Sequence, residues 1–444
     1  MINFNNMKLI FQALVLSLFT LSAFNQQNEV ENKLYLLPDV IFMRIEPPPG
    51  FPAAYELMIR QPLDHTNPQL GYFYQKAYLS HKGFDKPTVF VTEGYNCSRN
   101  TIYELTTLLD ANQIEAEHRF FGESRPDSLD YQYLTLMQAT ADLHRINELF
   151  RQLYQNKWIS TGISKGGQTT LYYRYYFPAD VDVSVPYVAP FNLEREDKRI
   201  YAFLDTIGTD DCQEKIKAMQ IRLLRNRDDV LPLLRLYCMG AQLQFTYLSF
   251  EEAFEYTVLE YPFSFWQWGI NCSTIPTDTS SLESALLHVL EVSDISLFSD
   301  RDITAYAPHY YQAAAEMGYY GYKTEDFSNL LKALPVKKNP SAAFTPGKMK
   351  VGYDSTLAAA AYKWLQTKGD RFIYIYGGID TWSATAVPPS PKVDALWFFM
   401  PQQGHGGARI RNMSAGEKNR LIEALNRWLL LNIKNDTGDL NKQD

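Results

Sequence analysis

Trp158-Ile159-Ser160-Thr161-Gly162-Ile163-Ser164-Lys165-Gly166-Gly167, continuing through Gln168 to Phe177 and stopped by Pro178, decides the fold of this 444-residue chain. The opening four residues read as a strand and Gln168 to Phe177 as a helix that proline ends. Between them lies G-x-S-x-G. At ordinary glycine and serine usage that pattern arises by chance in about one chain in ten of this length, so the strand before it and the helix after it carry the reading. Together they make the strand-turn-helix of a nucleophile elbow, in which a serine sits on a strained turn and the residues two before and two after must lack side chains.

Working outward, apolar runs at Thr88 to Thr92, Gln113 to Ala116, Trp158 to Gly162 and Val183 to Val188 alternate with helical spacing, as at Leu136 to Tyr154. That is βαβ rhythm and predicts a mostly parallel sheet. From about Phe191 to Ala343 the pattern becomes helical, rich in acids and aromatics, as in Glu251-Glu252-Ala253-Phe254-Glu255-Tyr256. Strand signals return at Phe372 to Tyr376 and Ala395 to Met400, and a last helix opens on Ser414 and Glu417 at capping-box spacing and runs through Leu421, Leu425 and Trp428 toward Leu431. The expected organisation is therefore an export signal at 1–25, a core at 26–190, a helical cap insertion at 191–343, the rest of the core at 344–434 and a polar tail at 435–444.

The export reading rests on Lys8 followed by an apolar run from Leu9 to Phe24, with cleavage expected near Ala23. The run is shorter than the roughly 20 apolar residues of a spanning helix and ends in polar Asn25-Gln26-Gln27-Asn28, so no stable membrane insertion is expected after cleavage and the product is expected to be secreted or periplasmic. No cysteine in this segment offers a lipid-anchor site. The four cysteines, Cys97, Cys212, Cys238 and Cys272, permit two disulfides in an exported protein, and their spacing leaves the pairing open. None has CxxC or HxxxH spacing to a partner, so no metal site is expected. With 42 basic and 50 acidic residues the chain carries a formal charge of -8, which argues against a nucleic-acid partner.

A serine hydroxyl is a weak nucleophile and needs a histidine base oriented by a carboxylate. In this fold both follow the serine, at the C-terminal ends of late strands. Of seven histidines, His288 and His309 lie in the insertion, whereas His405 follows a late strand in Gln403-Gly404-His405-Gly406-Gly407. Asp380 is placed by Gly377-Gly378-Ile379-Asp380 directly after the strand at Phe372; Asp370 and Asp394 precede strands and so sit at the wrong end. The Lys165 amide is the first oxyanion donor, and the Glu93-Gly94-Tyr95 loop after the strand at Thr88 supplies Gly94 and Tyr95 for the second. The Lys165 side chain is expected to point away, and His118 and Arg119 read as bracing residues.

Beyond the elbow, Gln61-Pro62-Leu63-Asp64-His65-Thr66-Asn67-Pro68, Thr92-Glu93-Gly94-Tyr95, Glu117-His118-Arg119-Phe120-Phe121-Gly122-Glu123-Ser124, the Ser-Lys-Gly-Gly of Ser164 to Gly167, and Gly404-His405-Gly406 span nearly the whole mature chain. In these segments the sequence resembles the secreted tripeptidyl aminopeptidases, serine peptidases that include the prolyl tri/tetrapeptidyl aminopeptidases and are distant relatives of lysosomal prolyl carboxypeptidase and dipeptidyl peptidase II. The resemblance implies an α/β-hydrolase core with a helical cap, and removal of short peptides from a free N-terminus, often after proline. It supports Ser164, Asp380 and His405 as a triad that needs no cofactor. The anchor for the substrate amine must be acidic. Glu93, and Glu194, Glu196 and Asp197 in the segment leaving the core for the cap, are its candidates. Two rival functions remain: a carboxylesterase or lipase using the same triad, and a catalytically inactive binding protein.

Overall fold

The computed structural model describes residues 28–334 and 343–433. The export signal read at 1–25 and the tail read at 435–444 lie outside the described residues. Among the described residues nine strands form one sheet in the order β1-β2-β3-β5-β4-β6-β7-β8-β9. These are β1 (Val40–Ile45), β2 (Ala53–Pro62), β3 (Tyr72–His81), β4 (Thr88–Thr92), β5 (Asn112–Ala116), β6 (Trp158–Ile163), β7 (Val183–Tyr187), β8 (Ile373–Gly377) and β9 (Leu396–Met400).

From β5 to β9 every neighbouring pair is parallel, whereas β1, β2 and β3 pair antiparallel with one another and β3 pairs antiparallel with β5. The antiparallel edge is an addition to the expected sheet. The parallel strands β4, β5, β7 and β8 are buried along their whole length, which is why β4, β7 and β8 read as mostly apolar runs rather than alternating ones, whereas β5 buries the polar Asn112, Gln113 and Glu115. Helices cover both faces. On one, Leu105 from the helix Glu104–Leu109 and Leu421, Leu425 and Trp428 from the helix Ala415–Leu429 pack on Val89, Val91, Ile159 and Ile375. On the other, Leu143, Ile146 and Phe150 of the helix Leu136–Phe150 pack on Phe90, Ile114 and Trp158. The expected capping box at Ser414 and Glu417 is present, and the helix ends at Leu429 with Leu430 left-handed.

The connection from β7 to β8 holds the helical stretch. Its helices bury Ile216, Leu223, Leu234, Phe254, Leu259 and Val289 in an apolar core of their own. The longest, here α1 (Phe250–Trp268), starts on a Ser249–Glu252 capping box and ends at Gly269 in the left-handed region. A single disulfide, Cys212–Cys272, ties this layer together across 60 residues. Cys97 and Cys238 are buried free thiols, so the four cysteines make one bridge and not two.

Closing a loop of that length removes about 4 kcal/mol of unfolded-state entropy. The variant Cys212→Ser/Cys272→Ser should therefore unfold at clearly lower denaturant than the wild type, monitored by tryptophan fluorescence, with the largest change in the helical layer. An unchanged midpoint would assign the bridge no stabilising role.

Candidate active site

Ser164 adopts φ 58, ψ -122 between β6 and the helix Lys165–Tyr176. A left-handed serine is strained, and here the surroundings fix it. Its amide donates to Tyr187 O at 2.9 Å, and its carbonyl accepts from the Gln168 amide at 2.9 Å. The glycine two before it is steric necessity: a Cβ on Gly162 would stand 2.3 Å from Gly166 O. The hydroxyl makes no capping hydrogen bond to the helix it precedes.

Asp380 and His405 meet, 25 residues apart in sequence. His405 Nδ1 donates to Asp380 Oδ2 at 2.8 Å, and Oδ1 of the same carboxylate accepts from the Trp382 amide at 3.1 Å. Asp380 is fully buried and His405 6% exposed, so the pair is desolvated and its geometry held. A carboxylate on Nδ1 leaves Nε2 as the ring's free acceptor. The positions follow from the sheet: Ile163 pairs with Tyr187, Tyr187 with Ile375, and Gly377 with Met400, so the loops carrying Ser164, Asp380 and His405 leave the same C-terminal edge.

No motif indicates what sets the height of the His405 loop. The last carbonyls of a helix lack intrahelical partners. In α1, Gln267 O accepts the His405 amide at 2.6 Å, and one turn earlier Phe263 O accepts the Thr381 hydroxyl at 2.8 Å. The end of one inserted helix thus braces both loops, and the Trp268 ring stands edge-on to His405 at 6.1 Å.

Gly94 and Tyr95 lie against the start of the elbow helix. The Lys165 side chain does not point away as expected: it is buried, 3% exposed, with Nζ donating to Gly94 O at 2.6 Å. The helix start turns it back under the β4 loop, where the Tyr95 and Phe121 rings face it at 5.5 and 5.2 Å. Arg119 braces through its side chain, whereas His118 does so through its main-chain amide, its ring reaching only the neighbouring Arg119 O at 2.9 Å. The His118 amide donates to Tyr95 O at 3.1 Å. Fully buried Arg119 donates to both Asp142 oxygens at 2.6 and 2.7 Å and to the carbonyls of Pro62, Leu63 and Tyr133. His65 Nε2 lies 2.7 Å from Asp142 Oδ1, so two distant sequence motifs join in one buried ionic network.

The acids differ sharply. Glu93 accepts the Tyr103 hydroxyl, and burial raises its carboxyl above the usual range. Asp197 is buried; although burial opposes its charge, the Arg199 guanidinium and the Leu193 amide hold it below the usual range. Glu196 is half-buried, accepts from Tyr201, and its backbone bridges Tyr319; Glu194 is exposed. The sequence reading missed Glu260 on α1, buried with the hydroxyls of Tyr320, Tyr322 and Ser264 donating to it at 2.8, 2.6 and 2.8 Å. Also unforeseen is a run of ring contacts from the β4 loop to the Asp380 loop: Tyr95 to His309 at 5.6 Å, His309 to Tyr319 at 5.3 Å, Tyr319 to Trp382 at 5.6 Å. His309, set aside in sequence as part of the insertion, is buried, and burial together with the Lys165 charge lowers it to about 3. Among the described residues no cluster of metal-ligating side chains occurs, and no helix is long and apolar enough to cross a membrane.

The model of the PS-10 peptidase S37 family matches residues 24–429. The chain is 28% identical over 410 residues to the prolyl tri/tetrapeptidyl aminopeptidase of Streptomyces mobaraensis, covering 90% of this chain and 85% of that protein. A shorter stretch of 101 residues is 40% identical to serine protease vicPb of Bipolaris victoriae (strain FI3), covering 19% of each. Among solved structures, proline iminopeptidase of Mycobacterium smegmatis aligns at 11% identity over 84% of this chain and 99% of that one, with a TM-score of 0.39. The parallel run of strands from β5 to β9 with helices on both faces, and Ser164 on the turn between β6 and the helix that follows, is the architecture of an α/β-hydrolase. With a family match of this extent the chain belongs to the PS-10 peptidase S37 family and is a serine peptidase.

Proposed function

We propose that this serine peptidase releases tri- or tetrapeptides from free N-termini, with proline favoured at the cleavage site, through an acyl-enzyme formed on Ser164. The observation that carries the reading is the desolvated Asp380–His405 pair, 2.8 Å apart, on the strand edge that also presents the strained Ser164. In this mechanism His405 Nε2 takes the hydroxyl proton as Ser164 Oγ attacks the scissile carbonyl. Asp380 holds the ring tautomer and stabilises the imidazolium. The Lys165 amide and the Gly94-Tyr95 loop receive the oxyanion. His405 then protonates the departing amine, and water, deprotonated by the same ring, releases the peptide from the ester.

Proline preference is supported by the rings of Tyr95, His309, Tyr319 and Trp382, apolar faces suited to a pyrrolidine. For the amine anchor we favour the Glu194–Glu196 stretch, whose backbone is tied at Glu196 to Tyr319 within that ring system, over Asp197, which Arg199 already neutralises. Export is supported by the apolar segment from Leu9 to Phe24 and by the Cys212–Cys272 bridge, a bond of oxidising compartments.

The test is mass spectrometry of fragments released from a proline-containing peptide with a free amine, beside its N-acetylated form and a short-chain ester. A desolvated ammonium–carboxylate contact contributes about 1.5–3 kcal/mol, so acetylation should lower kcat/KM at least about tenfold. Equal cleavage of both peptides would remove the exopeptidase reading. Preference for the ester with no peptide release would favour an esterase.

A further inference from the structure

We infer that the side chain of Lys165 is a positioning element of the oxyanion site: by capturing the Gly94 carbonyl it turns the Tyr95 N–H toward the reacting carbonyl. The inference rests on Ser164 being the nucleophile and adds a role for an ammonium that the triad mechanism does not use.

The geometry is that of one peptide plane. The bond between Gly94 and Tyr95 is planar and trans, so its C=O and N–H point in opposite directions. Nζ takes the C=O at 2.6 Å, and the N–H is thereby directed to the other side. The following carbonyl, Tyr95 O, is held by the His118 amide at 3.1 Å, so the plane is fixed on both flanks. The loop must lie close to the helix for this to work, and Gly94 permits it: a Cβ there would stand 2.7 Å from Lys165 Cβ and from Gly166 N. Among the described residues neither the Tyr95 nor the Lys165 amide donates to a main-chain acceptor outside the helix, so both remain available to an oxyanion.

Energetics separate this role from a packing role. Burying an ammonium against one neutral carbonyl and two ring faces costs stability that an apolar chain of the same length would not cost. The charged and titratable groups around it offer little return. Glu93 from the same loop is engaged by Tyr103. His118, after β5, and His309, from the insertion, are both held uncharged, by burial first and by the Lys165 charge second. Burial likewise pushes Lys165 itself down from the usual lysine range, opposed by Glu93. Charged or neutral, Nζ keeps an N–H to donate, so orientation of the Gly94 carbonyl survives either state.

Lys165→Met fills the same space without a donor. Removing a whole oxyanion donor costs about 10²–10³ in kcat elsewhere; loss of its orientation should cost about 10- to 100-fold here, with KM within about twofold. Inhibition by a peptide aldehyde, whose adduct places an oxyanion in the site, should weaken in step with kcat/KM, whereas inhibition by the released product peptide should not change. The variant should melt no lower than the wild type, and Lys165→Arg, which keeps N–H donors, should recover part of the lost kcat. Unchanged kcat in folded Lys165→Met overturns the inference. So does a drop matched by a lower melting temperature that Lys165→Arg shares. Ser164→Ala assayed alongside separates the two levels: activity retained there defeats the nucleophile itself, whereas an inactive Ser164→Ala beside a fully active Lys165→Met defeats only the lysine.

Discussion

Ser164→Ala should lower kcat by a factor on the order of 10⁶, leaving whatever rate the oxyanion donors and substrate binding supply over water. The size of the effect follows from chemistry: without the hydroxyl there is no acyl-enzyme, and the His405–Asp380 pair has nothing to activate. The fold should be indifferent to the change. The Ser164 side chain caps no helix, its backbone bonds to Tyr187 and Gln168 are kept, and alanine tolerates the site as well as serine does. Circular dichroism and melting temperature should match the wild type while steady-state hydrolysis of a free-amine tripeptide amide disappears. A folded Ser164→Ala enzyme within a hundredfold of wild type would end the nucleophile assignment.

Asp380→Asn should cost about 10⁴ in kcat with little change in KM. Asp380 has no exposed surface, and both its oxygens are engaged, Oδ2 by His405 Nδ1 and Oδ1 by the Trp382 amide. An asparagine keeps the shape and can accept from only one of these donors. If its amide nitrogen faces the ring, it donates to Nδ1 and forces the proton onto Nε2, the position that must be empty to receive one from Ser164. The loss should appear in kcat measured at saturating substrate, with melting temperature near the wild type because the loop is also held by the Thr381 hydroxyl on Phe263 O. A decrease smaller than tenfold would mean that Asp380 only packs.

Both predictions use residues legible in the amino-acid sequence, and the reason is local. The elbow needs glycines at fixed offsets, and strands that feed chemistry must end in turns, so Ser164, Asp380 and His405 can be found by their places after apolar runs. Arg119 and His118 were legible as bracing residues, although the partners, Asp142 and the Tyr95 carbonyl, were not. What the sequence did not carry is contact between distant segments. The Lys165 side chain follows from where the β4 loop lies over the elbow helix, which no spacing encodes. The Gln267 carbonyl that receives the His405 amide depends on how far α1 extends before Gly269. The antiparallel edge β1–β3 carries no plain apolar signal because β1 is half-buried to exposed, and β2 and β3, though largely buried, interleave polar residues such as Gln61, Gln75 and Lys76 with apolar ones. Cysteine count allowed two bridges, while only Cys212 and Cys272 come within bonding distance, with Cα atoms 5.6 Å apart. For the acidic candidates, sequence showed charge and the fold showed partners: Asp197 has Arg199, Glu93 has Tyr103, and Glu194 is left facing solvent.

If His405 activates Ser164 across the strand edge, the site and rate of modification by a fluorophosphonate, read by mass spectrometry of the digested protein, will report it. A single adduct is expected on the peptide carrying Ser164, formed in parallel with loss of peptidase activity, and slowed by at least about 10²-fold in His405→Ala. An adduct on another residue, or Ser164 labelled equally fast without His405, would contradict it.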